Sequence, residues 1–309
     1  MGQTAFIFPG QGAQSVGMGL DAYGEHGASR RIYDLADEVL GFKLTDIMFN
    51  GPEDRLKITY NTQPALLAVS IAYLEAFKET GLIPDYVAGH SLGEYSALVA
   101  AGSLSFKDAV KTVYSRGQFM NEAVPAGNGS MAAVLGMERD ALIQLCSRIS
   151  AEIGLVELAN VNCPGQIVVS GSMKGVQAVV EHGKEAGAKR VIQLEVSGPF
   201  HSSMMKPASE QLSGVLSTIP ILPAAIPLVA NVTARPVSQP EEIRQLLIQQ
   251  VYSPVLWEDS IQWLISQGVD TFVEIGAGNV LAGLIKKIDR EVKIISVNSL
   301  SSIKGAAQV

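Results

Sequence analysis

Residues 85–102 read DYVAGHSLGEYSALVAAG, and this stretch decides the fold. DYVAG is short, β-branched and apolar, which predicts a strand. GEYSALVAAG has the composition of a helix. Between them Gly89-His90-Ser91-Leu92-Gly93 matches G-x-S-x-G, a motif that carries meaning only where a strand turns sharply into a helix. Here it stands in that place. The flanking glycines permit a turn that lifts the Ser91 hydroxyl clear of a sheet. The N–H groups opening the helix face the same point and favour negative charge there. The plain alternative is a tight turn with a bystander serine; the strand and helix on either side favour a nucleophile.

A serine nucleophile needs a base, and the chain has four histidines. His26 lies in a polar loop and His182 on an exposed-looking helix face, so both read as surface residues. His90 adjoins the serine, but neighbours on an extended strand point to opposite faces, so it reads as a structural or pocket-lining residue. His201 follows a strand and the breaker pair Gly198-Pro199, where a sheet delivers loops to a cleft. By elimination His201 is the base; the plain alternative is a loop histidine with no role. A hydrolase would add a carboxylate to orient it; Glu195, Asp259 and Glu274 all come late enough, and nothing in the sequence selects one.

Outward from the elbow, strands alternate with helices, which predicts an α/β architecture with a parallel sheet. AFIF is a strand followed by the glycine-rich loop PGQGAQSVGMG. That loop fails as a dinucleotide site, because Ser15 replaces the last glycine of G-x-G-x-x-G, and no G-K-[ST] marks a P-loop. TQPALLAVSIAYLEAFKETG reads as a long buried helix ending at Gly81. SFKDAVKTVYSRGQFMNEAV reads as another, with Ser105 as its N-cap. From Gly129 to Val196 the order becomes β-α-β-β-α-β, the ferredoxin-like pattern, which predicts an insertion spanning 129–196 in a core formed by 1–128 and 197–309. The C-terminal SLSSIKGAAQV is expected to fray.

Composition narrows the function. The 309 residues are 47% hydrophobic and 17% charged, with a net charge of -7, a globular composition that gives a nucleic-acid role no support. The two cysteines, Cys146 and Cys163, lack metal-ligand spacing and read as reduced buried thiols. No metal site is expected. No apolar run approaches the roughly 20 residues that span a bilayer, and the N-terminus lacks a signal-peptide pattern. A soluble, cytoplasmic protein with no membrane role is expected.

The stretches FIFPGQGAQ (6–14), TQPALLAVS (62–70), AGHSLGEYSALVAAG (88–102), SRGQFMNEAVP (115–125), NVNCPGQIVVSG (160–171), VSGPFHSSMMKP (196–207) and YSPVLWEDSI (252–261) occur together and in order. As a set they resemble the malonyl-CoA:acyl-carrier-protein transacylases of type II fatty-acid synthesis, over about residues 3–298. The resemblance implies an α/β-hydrolase-like large domain with a ferredoxin-like insertion. It implies a Ser91–His201 dyad in which the Gln250 main-chain carbonyl orients the histidine, so that the Gln250 side chain should matter little. It implies backbone oxyanion donors at Gln11 and Leu92, and Arg116 as the group that pairs with the malonyl carboxylate. Phe200 matches an aromatic position that crowds branched acyl groups. Gln63, Asn160 and Asn162 match positions near the cleft. The substrates implied are malonyl-CoA and acyl carrier protein, with no cofactor beyond the coenzyme A thioester itself. Lys189, Arg190, Lys286 and Lys287 are candidate contacts for the acidic carrier protein.

One departure stands out: IGAGNVL (275–281) replaces the frequent family sequence IGPGKVL, with Ala277 and Asn279 at the altered positions. Two other functions share parts of this pattern. A serine hydrolase, such as a thioesterase, would use the same elbow but has no need of Arg116. A non-catalytic docking module would not need Ser91 and His201 intact.

Overall fold

The computed structural model describes residues 2–306, the side chains of 304–306 apart. Among the described residues eleven strands run in chain order: β1 (Gln3–Phe8), β2 (Tyr86–Gly89), β3 (Gly129–Leu135), β4 (Val156–Cys163), β5 (Gln166–Ser172), β6 (Arg190–Gln193), β7 (Leu228–Ala230), β8 (Arg235–Val237), β9 (Val255–Leu256), β10 (Val269–Ile275) and β11 (Lys293–Val297). They form two sheets. The first has the order β11-β10-β1-β2-β7-β8 and the second β6-β3-β5-β4-β9.

The first sheet is parallel except for the β7–β8 hairpin. Its central strands are apolar on both faces, as helix-covered parallel strands must be. Phe6 and Phe8 of β1 join one hydrophobic cluster while Ala5 and Ile7 join another. This is the period-2 alternation of a strand. Val87 and Ala88 of β2 divide in the same way. The helix Thr59–Phe77 is buried nearly all round, which explains why its sequence shows no polar stripe. It packs on the helix Phe106–Glu122, whose N-cap is Ser105, accepting from the Asp108 N–H.

The second sheet is antiparallel apart from β9. Helices Arg139–Glu152 and Met173–His182 contribute to a separate apolar cluster that includes Val134, Leu145, Val169 and Val176. The fifth strand, β9, comes from outside 129–196 and pairs in parallel with β4. Two residues show no periodicity, so no sequence pattern marks this strand.

The frayed tail is corrected by the structure. Leu300–Ala306 is a helix; its first N–H donates to Asp21 Oδ2 at 2.7 Å, and Ile303 is buried in the main core. Residues 307–309 of that reading lie outside the described residues. The helix Pro240–Gln250 was also absent from the sequence reading, and it carries a residue of the site.

Candidate active site

β2 ends at Gly89, and the helix Gly93–Ala100 begins four residues later. The turn between them forces Ser91 into the left-handed region, with φ 51°, at a cost of roughly 1–2 kcal/mol for a residue with a Cβ. The glycines on either side are steric necessities. A Cβ on Gly89 would lie 1.9 Å from the Gly93 carbonyl carbon, and one on Gly93 would lie 2.0 Å from the Phe8 carbonyl oxygen.

The strained turn is tied down by side chains from distant segments. Asn231, just beyond β7, accepts from the Ser91 N–H at 2.7 Å and donates to the Gly89 carbonyl at 2.7 Å. The Gln250 side-chain amide donates to the Ser91 carbonyl at 3.0 Å. Strain held by surrounding bonds of this kind is characteristic of functional sites.

His201 is also left-handed, with φ 58°, and is buried. Its Nε2 lies 2.8 Å from Ser91 Oγ, and its Nδ1 lies 2.8 Å from the Gln250 carbonyl oxygen. A carbonyl only accepts, so Nδ1 carries the proton and Nε2 is left to accept from the serine. Burial, and next the Arg116 charge, push the imidazole down to about 3. It is therefore neutral near pH 7.

None of the three candidate carboxylates reaches this imidazole. Glu195 is exposed. Asp259 is held by both terminal nitrogens of Arg139, at 3.0 and 2.7 Å. Glu274 accepts from the Leu281 and Ala282 N–H groups at 2.9 and 2.8 Å, at the start of the helix Val280–Ile288.

Arg116 is 1% exposed. Its Nη1 donates to Gln63 Oε1 at 2.7 Å, and its Nη2 donates to Gln250 Oε1 at 2.9 Å and to Ser91 Oγ at 3.2 Å. The guanidinium sits 5.6 Å from the Tyr95 ring centroid, and its Nε has no partner among the described residues. A buried charge with a spare donor beside the Ser91 hydroxyl is suited to an anionic ligand.

A cleft of about 130 Å³ joins these groups. Ser91, His201 and Arg116 line it together with Gln11, Leu92, Gln63, His90, Asn160 and Phe200. The Gln11 and Leu92 N–H groups donate to no protein acceptor among the described residues. Asn162 is not part of the lining; its Oδ1 lies 2.8 Å from His90 Nε2, so it acts on the wall through His90. A larger hollow of about 590 Å³ shares only His201 with the cleft and reaches neither Ser91 nor Arg116.

The serine, histidine and arginine predicted from widely separated stretches thus meet in one cleft. The acyl transferase domain family matches residues 5–303. The malonyl CoA-acyl carrier protein transacylase of Bacillus subtilis is 56% identical over 308 residues, covering 100% of this chain and 97% of that protein. The chain belongs to the malonyl-CoA:acyl-carrier-protein transacylase family of acyl transferases. The crystal structure of an acyl-carrier-protein S-malonyltransferase from Bartonella henselae superposes with a TM-score of 0.96 at 43% identity, covering 100% of this chain and 99% of that one. The structure of a type II PKS acyl-carrier protein in complex with its malonyl-transacylase superposes with a TM-score of 0.96 at 39% identity, covering 99% of both chains.

Two features of this acyl transferase escaped the sequence reading. The Gln250 side chain, expected to matter little, bonds Arg116, the Ser91 carbonyl, Glu94 and Asn231. Asn231 and Glu94 were not singled out at all. The one available signal for Asn231 was its place just past the C-terminal end of a strand, where open α/β sheets form their crevices. Among the described residues no group of three or more His, Cys, Asp or Glu side chains is placed to hold a metal, and no helix is long and apolar enough to cross a membrane.

Proposed function

We propose that this protein moves a malonyl group from malonyl-CoA to the phosphopantetheine thiol of acyl carrier protein, by way of a malonyl ester on Ser91. The observation that carries this reading is that one hydroxyl, Ser91 Oγ, lies within hydrogen-bond reach of both a neutral imidazole and a buried guanidinium. The first is a base for the hydroxyl proton. The second is a fixed cation for the far end of a dicarboxylic half-thioester.

The steps follow from the donors and acceptors present. His201 Nε2 takes the Ser91 proton as Oγ attacks the thioester carbon. The Gln250 carbonyl stabilises the imidazolium through Nδ1–H. Negative charge on the tetrahedral oxygen is met by the N–H groups of Gln11 and Leu92. The carbon–sulfur bond breaks, and the coenzyme A sulfur leaves with the proton from Nε2. In the second half the carrier thiol gives its proton to Nε2, sulfur attacks the ester carbon, and Ser91 Oγ leaves with that proton.

Arg116 couples binding to basicity. Burial, and next the Arg116 charge, depress His201, so a substrate carboxylate that neutralises the guanidinium lifts the second of these and raises the basicity of the imidazole beside it. A carboxylate that takes over the Nη2 hydrogen bond from Arg116 to Ser91 Oγ frees that oxygen for attack. Phe200, buried on the cleft wall, crowds a branched α-carbon and disfavours methylmalonyl groups.

The large unit, 1–128 with 197–309, is read as α/β-hydrolase-like, and 129–196 as a ferredoxin-like insertion. The order β6-β3-β5-β4 and the separate apolar cluster support that division. Lys189, Arg190, Lys286 and Lys287 are read as contacts for the acidic carrier protein. The reaction needs no cofactor beyond its thioester substrate, and a cytoplasmic setting suits both substrates.

Labelled malonyl-CoA mixed with the protein alone should leave a malonyl group on Ser91, seen by mass spectrometry of the peptide, with little free malonate. Rapid release of malonate without carrier protein would point to a hydrolase. No acyl-serine at all would point to a non-catalytic binding module.

A further inference from the structure

Glu94 is 1% exposed, carries a titratable group and has no part in the steps above. It stands three residues after Ser91, in the first turn of the helix that the elbow opens. Its Oε2 accepts two hydrogen bonds from other segments: the Asn231 main-chain N–H at 2.9 Å and the Gln250 side-chain amide at 3.0 Å. Those partners are the residues that hold the reacting groups. Asn231 grips the elbow at Ser91 N and Gly89 O. Gln250 holds His201 through its carbonyl, Arg116 through Oε1 and the Ser91 carbonyl through Nε2.

We propose that Glu94 is a positioning residue for acyl transfer: by accepting from Asn231 and Gln250 together, its side chain locks the loop after β7 and the end of the helix Pro240–Gln250 onto the serine elbow, setting His201 and Arg116 in register with Ser91 Oγ. The inference rests on the serine mechanism above.

The physical case is a matter of reach. The Gln250 amide has two hydrogens and three acceptors around it: Ser91 O, Glu94 Oε2 and Asn231 Oδ1, the last at 3.3 Å. Without Glu94 one of the two hydrogens keeps only the longer 3.3 Å contact to Asn231 Oδ1, and an amide that turns toward that oxygen draws Oε1 away from Arg116. The Asn231 N–H, buried with its residue at 0% exposure, would then lack a partner, which no buried amide tolerates cheaply. Burial raises the Glu94 carboxyl to about 7. Both protonation states are therefore accessible near neutrality, and Oε2 keeps an acceptor lone pair in each. Acceptance at the right distance, rather than charge, is the property the role requires.

Two substitutions separate these properties. Glu94→Gln keeps the length and an acceptor oxygen but loses the charge. Glu94→Asp keeps the charge but is one methylene short of both partners. Single-turnover acylation of Ser91 by malonyl-CoA is followed for each, together with the proton resonance of His201 Nδ1–H in the substrate-free protein.

Positioning predicts Glu94→Gln within about threefold of the unsubstituted rate. It predicts Glu94→Asp slowed about 10–100-fold, as the loss of a buried charged-group hydrogen bond implies. The fall should lie in kcat, with KM little changed, and the Nδ1–H signal should shift or broaden only in the Asp variant. Glu94→Ala, where it folds, should resemble Asp. Asp outperforming Gln would make charge the operative property and overturn the proposal. Melting temperatures that fall without any change in acylation rate per folded molecule, or in the His201 signal, would reduce Glu94 to a fold residue and overturn it too. The resonance needs no substrate, so it judges Glu94 even if the unsubstituted protein forms no malonyl-serine, a result that would instead refute the serine mechanism.

Discussion

The two sheets divide the work unequally. The parallel sheet and its connections supply the serine elbow after β2, Asn231 after β7, Arg116 on one covering helix and Gln250 on another. The antiparallel sheet supplies walls, with Met131 from β3, Asn160 from β4 and Leu194 just past β6 lining the cleft, and the segment that leaves β6 carries His201. No residue of β3–β6 hydrogen-bonds Ser91, His201 or Arg116 among the described residues. A parallel sheet places all its strand C-termini on one edge, so loops from several strands converge there. An antiparallel sheet alternates its ends and suits a covering layer.

That contrast fails if the serine is dispensable. Ser91→Ala should lower malonyl transfer about 10⁴-fold or more and abolish the acyl-enzyme, as read by intact-protein mass spectrometry. Arg116→Ala tests the cation of the parallel layer that is proposed to hold the acyl carboxylate. Malonyl transfer should drop about 10²–10³-fold while acetyl transfer drops less than about tenfold, because a buried charged contact is lost for one acyl group alone. Equal losses would remove the carboxylate role.

The antiparallel layer should respond in stability instead. Leu145→Ala, in its apolar cluster, should cost about 3 kcal/mol in urea unfolding yet leave the turnover of folded molecules within about twofold. A large loss of kcat would show that this layer sets catalytic geometry after all.

A smaller effect sharpens the contrast through pH. His201 is held down to about 3 against an ordinary 6.5. Its depressed value stabilises the fold fully above pH 6.5, and that contribution is lost as the pH falls, because the unfolded chain takes a proton that the folded site refuses. His201→Asn should flatten the pH dependence of unfolding by roughly 2 kcal/mol between pH 7 and pH 5. An unchanged slope would mean that the imidazole is better solvated than its burial implies.

Patterns of short range were legible from the chain alone. The strand–turn–helix at 85–102, the alternation of strands and helices, the N-cap at Ser105 and the β-α-β-β-α-β order each depend on residues within a few positions of one another, where periodicity and turn chemistry act. From them came Ser91 as the candidate nucleophile and, by elimination among four histidines, His201 as the candidate base.

The meeting of those groups did not. Ser91 and His201 are 110 residues apart, and Ser91 and Gln250 are 159 apart. Strand order decides that β7 lies beside β2, and so brings Asn231 to the elbow. Burial then decides which polar side chains must pair. Among the described residues, the Gln250 and Glu94 side chains hydrogen-bond only with one another, Asn231, Arg116 and the elbow backbone. No local pattern encodes that choice, because an unpaired polar group becomes costly only once the surrounding chain has excluded water.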